Sequence, residues 1–257
     1  MELTFIGTGS GKTGLNRFHT ALLFNSYGHK MLVDAGDGIS KALLKQKIIY
    51  NEIDSILFSH YHADHFGGLT ALITQMKLNE RSSTLNIFTH RDLIKPIRYV
   101  LNFGYLFEDH LGFQLNIIPF DYNTKIIINE TIAIEARKNT HILDKYNIGR
   151  SDIIKFHSSS FRFSIENLIV VYTSDVGSPE DLLLFNDSDI DIFIMETTHT
   201  KTEDIIRVCE KIQPKEIYLT HIEDSDEILL KKWLENLEKP SKNKVFLTFD
   251  GMKISRN

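Results

Sequence analysis

The chain has 257 residues, 42% hydrophobic and 25% charged, with a formal net charge of −5. Those proportions belong to a soluble globular protein and exclude the disordered and fibrous classes, and the length suits a single two-sheet sandwich. The acidic balance argues against a generally basic nucleic-acid surface, while leaving room for a local basic groove.

From the N-terminus, strand-like runs at 2–6, 19–25, 30–34, 55–59 and 85–89 alternate with helical patterns at 38–48, 67–78 and 91–103. The second half begins strand-rich at 113–138 and continues through 160–174. It then alternates helix 179–185, strand 190–196, helix 202–212, strand 216–220, helix 225–237 and strand 244–249. No low-complexity tract or Pro/Gly/Ser linker divides the chain, so one domain over 1–257 is expected. Two halves of this kind predict an α/β fold, a four-layer αββα sandwich of two mixed sheets with helices outside. The single Cys209 allows no disulfide within the chain and reads as a small core residue. The N-terminus has neither a basic nor an apolar leader pattern, and no apolar run is long enough to span a bilayer; a cytoplasmic protein without a membrane partner is expected.

The most informative stretch runs from Ser59 to Gly68, where His60, His62, Asp64 and His65 fall within six positions. Imidazole nitrogen and carboxylate oxygen together favour Zn, Mn or Fe over Ca or Mg. The apolar run Ile56-Leu57-Phe58 before them reads as a buried strand, so the ligands stand at a strand end, where active sites of layered α/β folds collect. Two residues apart in extended chain, His60 and His62 point the same way and can share one ion. Asp64 and His65 lie past the bend and can reach a second. A polar turn with no ligand role is the alternative, and four such residues at this spacing weigh against it.

These residues make the chain similar to the metallo-β-lactamase superfamily, whose signature is His-x-His-x-Asp-His, and within it to the ribonuclease Z-like phosphodiesterases. The opening Phe5-Ile6-Gly7-Thr8-Gly9-Ser10-Gly11 with Arg17 and Thr20 resembles that branch's first strand and glycine loop. Met31-Leu32-Val33-Asp34-Ala35-Gly36-Asp37-Gly38 resembles its second motif, in which the first Asp orients metal ligands. The glycine loop also imitates a phosphate-binding P-loop, but Ile6 stands where that motif needs glycine, so ATP binding is not expected.

The resemblance implies two divalent ions, Zn first and Mn or Fe as alternatives, and a metal-activated hydroxide attacking phosphorus. His60, His62 and His141 would hold the first ion; Asp64, His65 and His221 the second; Asp175 would bridge. Asp64 is counted among the catalytic groups as well. His157 competes with His141 for the third imidazole, and His141 is preferred because it follows a strand of clear alternation. His199, 22 residues before His221, resembles the branch's second catalytic His and would protonate the leaving oxygen, with Glu203 downstream as its partner. A helix-start His beside a Thr200–Glu203 capping box is the structural alternative. His19, His29, His90 and His110 have no ligand spacing and read as structural or exposed.

Only 33 residues separate His141 from Asp175, too few for the basic arm that grips tRNA in ribonuclease Z. The expected function is therefore a metal-dependent phosphodiesterase on small or single-stranded nucleotides. Processing of tRNA 3′ ends and hydrolysis of a lactone or thioester are the alternatives. The expected partners are a small phosphodiester or nucleotide, RNA 3′ ends under the alternative, and a second copy of the chain if it is a homodimer.

Overall fold

In β8 (Ile132–Lys138), Ile132, Ile134 and Ala136 turn inward while Glu135 and Arg137 turn toward solvent, the period-2 pattern of a strand covered on one face. β4 (Ser55–Leu57) and β11 (Ile192–Glu196) are buried at every position, as strands covered on both faces require. The structure, a computed structural model, describes residues 1–144, 154–187, 189–237 and 244–256.

The remaining strands are β1 (Glu2–Gly7), β2 (Ala21–Ser26), β3 (His29–Val33), β5 (Leu85–His90), β6 (Leu115–Phe120), β7 (Lys125–Ile127), β9 (Ser159–Ile165), β10 (Leu168–Tyr172), β12 (Glu216–Thr220), β13 (Val245–Leu247) and β14 (Lys253–Ser255). They form two seven-stranded sheets, β14-β1-β2-β3-β4-β5-β6 and β13-β12-β11-β10-β9-β8-β7. Each sheet is built alike. An antiparallel portion gives way to four parallel strands, β3 to β6 in the first and β10 to β13 in the second.

The helices are α1 (Ile39–Lys45), α2 (Ala63–Phe66), α3 (Leu69–Leu78), α4 (Ile94–Phe103), α5 (Thr202–Lys211) and α6 (Glu227–Asn236). Three apolar clusters define the layers. Between the sheets, Leu3, Phe5, Phe24 and Met31 pack on Phe161, Phe163, Tyr172 and Ile194, with the Phe24 and Phe163 rings 4.8 Å apart. On the outer face of the first sheet, Leu32, Ile56 and Ile87 meet Leu69, Leu72, Ile73 and Met76 of α3. On the outer face of the second, Val171, Phe193 and Met195 meet Ile205 and Val208 of α5. This is an αββα sandwich, and burial of each large apolar side chain in it contributes about 1.5–3 kcal/mol.

The 179–185 segment is a 3₁₀ helix, Pro179–Leu183, instead of an α-helix. β14 was not anticipated; it pairs antiparallel with β1 over three residues, too short a run for periodicity to register. Among the described residues no helix is long and apolar enough to cross a membrane.

Candidate metal centre and active site

The carboxyl ends of the parallel strands in both sheets carry the site: Asp34 follows β3, His60 follows β4, Asp175 follows β10, and His221 follows β12. Asp34, Ser174 and His221 hold positive φ angles of 63°, 52° and 55°. Such backbone is sparsely populated for non-glycine residues and concentrates at functional positions. Two glycines let the elements close up. A Cβ on Gly36 would stand 1.9 Å from the Asp64 carbonyl oxygen, and one on Gly177 would stand 2.2 Å from that of Thr140. Any side chain there would push Asp64 away from β3, or the His141 loop away from Asp175.

The seven expected ligands converge in two groups that share Asp175. His60, His62, His141 and Asp175 form one, and Asp64, His65, Asp175 and His221 the other, each offering ligand atoms within 4.8 Å of one another. Asp175 Oδ1 lies 3.1 Å from His65 Nε2 and 3.3 Å from His221 Nε2, while its Oδ2 lies 3.5 Å from His141 Nε2. One carboxylate therefore faces both groups. His62 Nδ1 and His141 Nε2 are 3.1 Å apart, and Asp64 Oδ2 is 3.2 Å from His221 Nε2.

A buried scaffold aims these atoms. The Asp34 carboxylate accepts from the Ser59 N–H, the Ser59 hydroxyl and His65 Nδ1, each at 2.8 Å, and from the Tyr172 hydroxyl at 3.3 Å. Because the Ser59 hydroxyl donates to Asp34, its oxygen accepts from His60 Nδ1 at 3.0 Å. Thr198 works likewise: its hydroxyl donates to the His221 carbonyl at 2.7 Å and accepts from His221 Nδ1 at 3.0 Å. In three imidazoles, His60, His65 and His221, Nδ1 is thereby engaged and Nε2 is turned to the centre.

His60 Nε2, His65 Nε2 and Asp175 Oδ1 are buried without an aligned hydrogen-bond partner. Leaving each unsatisfied costs about 1–3 kcal/mol, a cost that a cation held between the ligand groups would remove. Burial holds His60 well below the usual imidazole range and His141 down at about 4, so both favour the neutral form that ligates. Burial opposes charge on His65, but the Asp175 and Asp34 carboxylates outweigh it and raise the group well above that range. Burial also opposes ionisation of Asp175 and Asp64, yet the surrounding imidazoles, His221 foremost, hold both carboxyls low. The protein groups alone thus favour a cation among ionised carboxylates. Imidazole nitrogen and carboxylate oxygen fit a divalent ion of the Zn, Mn or Fe class.

His199 stands in the loop between β11 and α5, with Nδ1 3.1 Å from Glu196 Oε1. The expected partnership with Glu203 is corrected here. α5 begins at Thr202, so His199 is not on the helix and shares no helical turn with Glu203, which is exposed and contacted by the Thr202 hydroxyl at 3.4 Å. Nor does Glu203 cap the helix: the Lys201 N–H is accepted by Asp204 at 2.9 Å. Glu196 is buried and also accepts the N–H groups of Thr198 at 2.6 Å and His199 at 2.8 Å. That hydrogen-bonded carboxylate raises the pKa of His199 above the ordinary value. A charged residue closing the apolar run Ile192–Met195, three positions before a His, was the signal available for Glu196.

His157 stands apart from both groups. Its Nε2 lies 2.9 Å from Asp92 Oδ2 and its ring stacks on His90 at 3.7 Å. A cavity of about 190 Å³ opens over the centre, lined by Ser10, Gly11, Lys12, His62, Asp64, His141, Asp175, Thr198, His199, His221 and Glu223.

The chain is similar to several known proteins. Ribonuclease Z from Thermoplasma volcanium is 32% identical over 152 residues, 58% of this chain and 49% of that protein. The chain spans about half the length of the curated relatives it matches. Among solved structures, the metallo-β-lactamase fold protein YhfI from Bacillus subtilis superposes with a TM-score of 0.77 at 20% identity, covering 98% of each chain. The short form of human tRNase Z superposes at 0.73 with 19% identity over 99% of each. Residues 1–233 match the family of the anti-Pycsar protein Apyc1, and the chain belongs to that family, a ribonuclease Z-like member of the metallo-β-lactamase superfamily.

Proposed function

We propose that the protein is a metal-dependent phosphodiesterase acting on small or single-stranded nucleotide phosphodiesters. The observation that carries the reading is the half-exposed His199, held by buried Glu196 at the rim of a cavity whose floor is two ligand groups sharing Asp175. His60, His62, His141 and Asp175 would hold one divalent ion, and Asp64, His65, His221 and Asp175 a second, with Zn²⁺ the best match to the donors. Ions so held supply Lewis acidity and lower the pKa of a water toward ~7.

The chain's own residues do the rest. With Nδ1 engaged by Glu196, His199 presents Nε2 to a departing oxygen and can hand it a proton. The same carboxylate raises the His199 pKa, which favours the protonated form that the transfer needs. Lys12 is the one lysine or arginine among the described residues lining the cavity, and it pairs with Glu223. A cavity of about 190 Å³ is below the usual ligand-site range of about 300–1,000 Å³, which suits a phosphodiester and its immediate substituents. The short span between His141 and Asp175, of which 145–153 lie outside the described residues, argues against a tRNA-gripping arm.

The test is turnover by the Zn²⁺- or Mn²⁺-reconstituted protein on cyclic and linear nucleotides, a tRNA precursor, a lactone and a thioester. Small nucleotides should be hydrolysed, and chelation should abolish the activity. Lactone or thioester turnover without phosphodiester turnover would overturn the reading.

A further inference from the structure

His141 and Asp175 reach the centre on two loops, one after β8 and the other after β10. Strand β9 lies between those strands, so no ladder hydrogen bond fixes one loop against the other. The His141 Nε2 to Asp175 Oδ2 distance of 3.5 Å therefore needs another cause.

Two buried polar side chains outside the ligand groups tie the loops together. Asp181, in the 3₁₀ helix Pro179–Leu183, is 5% exposed. Its Oδ2 accepts from the Thr140 N–H at 3.0 Å, the Thr140 hydroxyl at 2.7 Å, the Gly177 N–H at 2.9 Å and the Ser178 N–H at 3.2 Å. A capping box accounts for the bond from Ser178 alone. The other three join the residue before His141 to a residue two positions after Asp175. Asn139 works in the reverse direction: its amide nitrogen donates to the Asp175 carbonyl at 3.0 Å, and its Oδ1 accepts from the His141 N–H at 3.2 Å.

We propose that Asp181 is a positioning residue for one ion only, the one assigned to His60, His62, His141 and Asp175, a role that rests on the two-ion reading above. Through Thr140 and Gly177 it sets the reach of His141 toward Asp175. Metal–ligand distances tolerate only about ±0.2 Å, so a His141 loop cut free of the Asp175 loop binds poorly. The other group does not depend on this tie. Asp64 and His65 come from the turn after β4, Thr198 engages His221, and Asn139 still holds the Asp175 backbone. Because all four donors meet a single oxygen of Asp181, the carbonyl oxygen of an asparagine can take its place, whereas alanine leaves them without their acceptor.

The test measures Zn²⁺ affinity against a chelating indicator, on the full-length chain stripped of metal and reloaded with Zn²⁺ alone. Asp181→Ala should weaken one of two equivalents by ~10–100-fold and leave the other within ~twofold of the wild type. Asp181→Asn should keep both. Thr140→Val deletes one of the four bonds at an exposed residue and should weaken the same equivalent by less, which carries the comparison if Asp181→Ala does not fold. In a His62→Ala background, where the first group has already lost a ligand, Asp181→Ala should add no further loss; a general loosening of the fold would add one. Equal weakening of both equivalents, weakening of neither, or an Asp181→Asn as damaging as Asp181→Ala would overturn the proposal. A wild type that binds fewer than two Zn²⁺ ions would overturn the two-ion centre and this role with it, so the two failures are told apart on the wild type alone.

Discussion

The first sheet delivers His60, His62, Asp64 and His65 to the candidate centre from one turn after β4, whereas the second delivers His141, Asp175, His199 and His221 from the ends of four different strands. In the first case a short helix and the buried Asp34 carboxylate fix the geometry locally. In the second, each side chain is placed by the packing of its own strand, so the arrangement belongs to the whole sheet. Asp175 joins the two contributions, with one oxygen toward each ligand group.

That contrast orders the effects of substitution. Asp175→Ala should cost most, because both ligand groups lose their shared carboxylate; loss of several kcal/mol of charge stabilisation corresponds to ~10³-fold or more in turnover. Elemental analysis of the same variant should show both equivalents weakened, and retention of one at full strength would mean that Asp175 serves a single group. Asp34→Asn tests the local scaffold of the first sheet. It touches no substrate, yet metal affinity measured against a chelating indicator should fall by ~10–100-fold. Unchanged affinity would show that the turn after β4 needs no such support.

Glu196→Gln probes the second sheet's positioning of His199. Its hydrogen bond is the largest influence raising the His199 pKa, so removing it lets that pKa fall and the proton leaves at lower pH. The basic limb of the pH–rate profile should therefore move toward acid, with a loss of roughly tenfold near neutrality. A limb that stays in place would remove Glu196 from this role. Glu203→Gln is the smallest change, an exposed helical site where ~twofold effects or less are usual. A loss equal to that of Glu196→Gln would return the partnership to Glu203.

Much of the fold was legible because its signals are local: the apolar runs Ile56–Phe58 and Ile192–Met195 at the buried β4 and β11, and the alternating β8, announce strands of different burial. The cluster at 60–65 was legible for the same reason, since four ligands in one turn need no tertiary information to be seen together. His141, Asp175 and His221 could be nominated only as residues following strands, with the family resemblance to choose among them. Glu196 was hidden because it reads as the last residue of an apolar strand, and its pairing depends on where α5 starts. The nearness of His90 to His157 was invisible as well, being set by the packing of β5 against the segment entering β9.

The most direct measurement is the leaving-group dependence of His199→Ala. With metal content unchanged, the variant should lose ~10²–10⁴-fold on a nucleotide whose leaving group is a ribose alkoxide. On a nitrophenyl phosphodiester it should stay close to the wild type, because nitrophenolate departs without a proton. Equal losses on both substrates would contradict the assignment of His199 as the proton donor of a phosphodiesterase.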